Sequence, residues 1–81
     1  MRIEVRLFAQ ARERVGSSRT LLELPEGSSV SDALTLLERA YPGLSELRPH
    51  LAVAVDGTLA RTGEVLVEGC ELALLPPVSG G

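Results

Sequence analysis

The 81-residue chain has one cysteine, Cys70, two aromatic side chains, Phe8 and Tyr41, and neither lysine, asparagine nor tryptophan. One thiol excludes an internal disulfide, and with His50 as the only histidine it leaves no ligand set for a structural zinc site. A net charge of −3 with so few rings speaks against a nucleic-acid surface, which wants a basic stripe and stacking aromatics. Uncharged runs fall far short of the roughly 20 residues that cross a bilayer. Arg2, Glu4 and Arg6 break up the first apolar residues, so no leader is read there and a cytoplasmic protein without a membrane partner is expected. The glutamates stand singly, which offers no paired-carboxylate chemistry. Cys70 has no neighbouring base and reads as a turn residue, and His50 as a surface or loop-packing residue.

What the chain does contain is one domain's worth of alternating and helical patterns. Ile3, Val5 and Leu7 alternate with Arg2, Glu4 and Arg6, the period of a half-buried strand. Gln10 to Val15 reads as a short helical turn ended by Gly16, and Arg19 to Leu24 as a second strand stopped by Pro25. Ser29 followed by Asp32 is a capping box, and apolar residues at Val30, Ala33, Leu34, Leu37 and Tyr41 draw one stripe along the helix it starts. Pro42 and Gly43 end that helix, and Leu44 to Leu47 add a turn at most. Ala52 to Val55, Asp56-Gly57 and Thr58 to Ala60 spell a hairpin, and Glu71 to Leu75 a last strand that Pro76 stops. The reading is α+β, a mixed sheet with one principal helix packed on one face, over residues 1–75.

Residues 76–81 read as an extended tail. Pro76 and Pro77 favour an extended course, so Pro76, Pro77, Val78, Ser79, Gly80 and Gly81 reach roughly 18 to 20 Å at about 3.1 to 3.3 Å each. Two terminal glycines carry no Cβ, which suits backbone passing through a narrow channel and leaves the final carboxylate open. A carboxylate is a poor electrophile and needs activation. The chain holds no phosphate-binding glycine loop, so an ATP-using partner would have to supply it.

The pleat adds a surface. With Ile3, Val5 and Leu7 turned toward the helix, Phe8 points the other way, as do Ala73 and Leu75 in the last strand. A two-residue turn at Asp56-Gly57 pairs Ala54 with Leu59 and sends both to that same side. Phe8, Ala54, Leu59, Ala73 and Leu75 are therefore expected to form one exposed apolar patch, the mark of a partner site.

Arg6-Leu7-Phe8-Ala9-Gln10-Ala11-Arg12-Glu13, Leu24-Pro25-Glu26-Gly27, Ala40-Tyr41-Pro42-Gly43-Leu44, Val53-Ala54-Val55-Asp56-Gly57 and the ending from Glu71 through Pro76-Pro77-Val78-Ser79-Gly80-Gly81 together resemble the small subunit of molybdopterin synthase. That family is one of ubiquitin-like β-grasp sulfur carriers, and the resemblance runs over essentially the whole chain. It implies a β-grasp domain that binds no cofactor itself. An activating enzyme uses ATP to adenylate Gly81, a sulfur donor protein converts it to a thiocarboxylate, and a large subunit passes the sulfur to cyclic pyranopterin monophosphate. Catalysis would lie in that large subunit. Cys70 stands where relatives commonly have Asp. Carriers for thiamine or tRNA thiolation share such a tail, and so do ubiquitin-like protein modifiers; the absence of lysine forbids chains built on this protein's own side chains.

Overall fold

A computed structural model describes residues 1–76. Strand β1 (Arg2–Leu7) leads into a short helix α1 (Ala9–Val15) and strand β2 (Arg19–Glu23), followed by the principal helix α2 (Val30–Ala40). Two 3-10 turns, Pro42–Leu44 and Arg48–His50, lead to the hairpin of β3 (Ala52–Val55) and β4 (Thr58–Leu59), and β5 (Glu71–Leu75) is the last strand. The five strands form one sheet in the order β2-β1-β5-β3-β4. β1 and β5 run parallel at its centre and every other pair is antiparallel.

Local chemistry accounts for the element boundaries. The Ser29 hydroxyl accepts from the Asp32 amide at 3.2 Å and the Asp32 carboxylate accepts from the Ser29 amide at 2.9 Å, which completes the capping box. Two more amides of the first turn find carbonyls across the fold: Val30 N–H donates to Glu64 at 2.9 Å and Ser31 N–H to Thr62 at 2.8 Å. The connection between β4 and β5, on which the sequence patterns are silent, is thereby tied to the start of α2, and Leu66 from it is buried. Asp56 (φ 48°) and Gly57 (φ 84°) both lie in the left-handed region, as a type I′ hairpin turn demands.

Val30, Ala33, Leu34 and Leu37 of α2 bury against Ile3, Val5, Leu7, Leu72 and Leu74 of the two central strands. Each large aliphatic side chain in that layer contributes about 1.5 to 3 kcal/mol. Cys70 closes a turn, as its sequence context suggests, its N–H donating to Val67 at 3.2 Å, and its side chain is in addition a core residue. It is 3% exposed and belongs to this core, while its carbonyl accepts from Glu4 N–H at 3.1 Å at the entry to β5. His50 is exposed in the second 3-10 turn.

Candidate functional site

Among the described residues the sheet has an inner face under α2 and an outer face that no helix covers. β5 lies between β1 and β3, so the chain leaves the sheet from its middle strand at Leu75, and Pro76 is exposed just beyond it. Pro77, Val78, Ser79, Gly80 and Gly81 lie outside the described residues.

Around that exit the register lines up the outer-facing side chains. Arg6 is opposite Ala73, Ala73 opposite Ala54, and Ala54 opposite Leu59, in one row across four strands. A second row puts Leu75 opposite Ala52, with Phe8 following directly on β1. Leu59 is 71% exposed and Phe8 37%, while Ala73 and Leu75 are half-buried. Ala54 is corrected: it sits on the outer face as parity requires, yet it is only 6% exposed. Its single methyl lies flush between its cross-strand neighbours, and it takes no part in the core cluster on the other face. Ala54 therefore forms the floor of the patch.

Phe8 is held on this face by the backbone. It caps α1 in an extended conformation (φ −126°, ψ 154°), and its carbonyl accepts from Ala11 N–H at 3.1 Å. Ala9 follows at φ 50°, a left-handed conformation that costs an L-residue roughly 1 to 2 kcal/mol and turns the chain sharply into the helix. The Arg6 guanidinium carbon lies 5.5 Å from the centre of the Phe8 ring, within cation–π range, and a guanidinium nitrogen is 4.0 Å from the Glu71 carboxylate.

The outer face thus divides in two. Ala73 and Leu75 of β5 with β3 and β4 present apolar residues, while β1, β2 and Glu71 at the start of β5 present charges crossed by ion pairs, Arg2 to Glu23 at 3.0 Å and Arg19 to Glu4 at 3.4 Å. Sequence parity missed Ala52, although the argument that picked Ala54 selects it too, and missed Arg6, whose side chain borders the patch. It also passed over Leu21, 62% exposed in the charged half. Among the described residues no three His, Cys, Asp or Glu side chains converge as a metal site would need. Among the described residues the arrangement is an apolar surface around the point where the chain leaves the sheet, with no nucleophile or acid–base pair set into it. Among the described residues, no helix is long and apolar enough to cross a membrane.

Comparison with known proteins places this geometry. The model of the ThiS family matches residues 5–81. Small archaeal modifier protein 1 of Haloferax volcanii is 39% identical over 87 residues, covering 98% of this chain and all of that protein. A crystal structure of that protein superposes with a TM-score of 0.88 at 37% identity, covering all of both chains. The molybdopterin synthase sulfur carrier subunit of Arabidopsis thaliana is 35% identical over 79 residues, 98% of this chain and 82% of that protein. A solved protein–protein complex of subunits 1 and 2 of molybdopterin-converting factor from Helicobacter pylori contains a chain 26% identical, covered fully in both directions with a TM-score of 0.70. The chain carries the ubiquitin-like β-grasp fold, and it belongs to the ThiS family.

Proposed function

We propose that this protein is the sulfur-carrying small subunit of a molybdopterin synthase. The observation that carries the reading is where the chain leaves the sheet: the residues that run to Gly80-Gly81 follow, in sequence, the middle strand β5, whose end at Leu75 lies beside the apolar half of the outer face. Docking by that half would aim the tail into the partner. The Helicobacter pylori chain of the same fold, solved with subunit 2 of its molybdopterin-converting factor, supports a heteromeric arrangement.

In this account Gly81 supplies the reacting carboxylate. One of its oxygens attacks the α-phosphorus of ATP on an activating enzyme, and pyrophosphate leaves. A sulfur donor protein's persulfide sulfur then displaces AMP from the acyl-adenylate to give an acyl disulfide. A thiol attacks the donor's sulfur in that disulfide, which releases the thiocarboxylate and leaves the donor's sulfur in a new disulfide with that thiol. The large subunit transfers that sulfur to cyclic pyranopterin monophosphate. This chain's own residues position the group: Phe8, Ala54, Leu59, Ala73 and Leu75 dock, while Pro76, Pro77, Val78, Ser79 and Gly80 extend through a channel whose width Gly80 must fit. The test is reconstitution. Thiocarboxylated protein mixed with large subunit and cyclic pyranopterin monophosphate is expected to yield molybdopterin, and failure of purified, folded components to do so would overturn the assignment.

The likeness to small archaeal modifier protein 1 favours a second role, conjugation of Gly81 to target lysines. Lacking lysine itself, the protein would then be attached singly, and because trypsin cuts it last after Arg61, target lysines bearing the Thr62–Gly81 remnant in isopeptide linkage are the sign to look for.

A further inference from the structure

The other end of the sheet is an open edge with a symmetry of its own. In the antiparallel β1–β2 pair the Met1 and Leu24 backbones exchange hydrogen bonds of 2.6 and 2.8 Å, and Leu7 N–H donates to Ser18 at 2.9 Å. Alternation along the ladder turns Thr20 and Leu22 toward β1 and leaves the amides and carbonyls of Arg19, Leu21 and Glu23 pointing off the edge. The Ser17 hydroxyl engages both groups of Arg19, at 3.2 and 2.7 Å, so Leu21 and Glu23 are the open positions. Such an edge pairs readily with another strand unless proline, a bulge or a central charge blunts it. β2 has none of these at its centre: Leu21 is 62% exposed there.

The side chains around Leu21 are self-complementary. Arg19 and Glu23 flank it at equal distance on the same face, with opposite charge, and both are well exposed at 64% and 76%. An antiparallel copy centred on Leu21 would set Leu21 against Leu21, where the two backbones exchange a pair of hydrogen bonds, and the Arg19 side chain against that of Glu23 on both sides of a two-fold axis, while the Arg19 backbone keeps its Ser17 partner. Helix α2 repeats the pattern on the inner side of the edge. An open groove of about 390 Å³ between the end of β2 and α2 is lined by Leu24, Thr35 and Leu36, with Asp32 at one end of the helix stripe and Arg39 at the other. Two elements thus each carry an apolar centre between one acidic and one basic residue, the charge pattern that suits a second copy of the same surface.

We propose that two copies of this chain join edge to edge along β2, antiparallel and centred on Leu21, extending the sheet across both. The apolar half of the outer face, and Leu75 and Pro76 where the chain leaves the sheet, lie on strands away from β2, so the docking face stays free for its partner in each copy. The contact is short, and short interfaces are weak, so association is expected at roughly 0.1 to 1 mM.

Sedimentation equilibrium of the full chain from about 10 µM to 1 mM is the test, with mass rising toward two chains. Arg19→Glu sets like charges against each other in its own dimer, and so does Glu23→Arg. Each alone should remain a monomer with unchanged circular dichroism. Mixed in equal amounts, the two variants face Glu against Arg at both positions, and the mass should rise again, a rescue that no general loss of stability would give. A wild-type chain that stays monomeric at the upper limit overturns the proposal and leaves this edge to water or to another protein's strand. A dimer untouched by the single reversals, or a mixture that fails to associate, overturns it equally.

Discussion

Replacing Leu59 by glutamate separates docking from folding. Leu59 is the outer-facing residue of the two-residue edge strand β4 and keeps 71% of its surface in water, so the folded protein gains little from it. The backbone ladder to Ala54 does not depend on the side chain, and the expected stability change is within about 0.5 kcal/mol. Binding has more at stake. Full burial of a leucine is worth about 1.5 to 3 kcal/mol, and the seven-tenths still exposed leaves about 1 to 2 kcal/mol for a partner to gain. A lone carboxylate there adds its own desolvation cost. Leu59→Glu should therefore weaken binding of the large subunit at least tenfold, or about 1.4 kcal/mol. Calorimetric titration into the purified large subunit measures it, with Val67→Glu, also well exposed but outside the patch, as the control. Equal affinity for Leu59→Glu and wild type would refute the docking face.

Deleting Gly81, or adding a C-terminal tag, should abolish sulfur transfer in a reconstituted assay while the circular dichroism stays that of the intact chain. Cys70→Ala should leave sulfur transfer near the wild-type rate if, as proposed, the sulfur is carried on the Gly81 carboxyl group, since Cys70 is buried; the lost thiol should show only as about 1 kcal/mol of stability in urea denaturation. Ser29→Ala removes the oxygen that accepts from Asp32 N–H and should cost about 1 kcal/mol. That loss lowers the melting temperature by roughly 4 to 8 °C for a domain of this size, with no effect on docking.

Most of the fold was legible in the residues because local chemistry and long-range packing agree. The Ser29-Asp32 box, the Asp56-Gly57 turn and the alternation of Ile3, Val5 and Leu7 each fix an element whose buried face then meets the others. Strand order was not legible: that β5 inserts between β1 and β3 depends on pairing between the two ends of the chain, which no short window contains. The same holds for the connection at residues 60–70, whose backbone bonds reach back to Ser28, Val30 and Ser31. Parity placed the outer-face residues on their side but not their exposure. Ala54 and Leu59 share a row, and the size of the side chain and its distance from the edge decide that one is covered and the other open. The burial of Cys70 was hidden for a related reason: the turn its amide closes with Val67 is local, but the core its side chain enters is assembled from strands far apart in the chain.

The central claim is that Gly81 carries sulfur on its carboxyl carbon. Intact-mass measurement of the protein isolated from cells tests it most directly. The account predicts a population heavier by the exchange of one oxygen for sulfur, confined by fragmentation to Gly81 and lost when the activating enzyme is absent. A chain that bears only oxygen at that carboxyl in cells actively making the cofactor, or sulfur found on Cys70 instead, would contradict it.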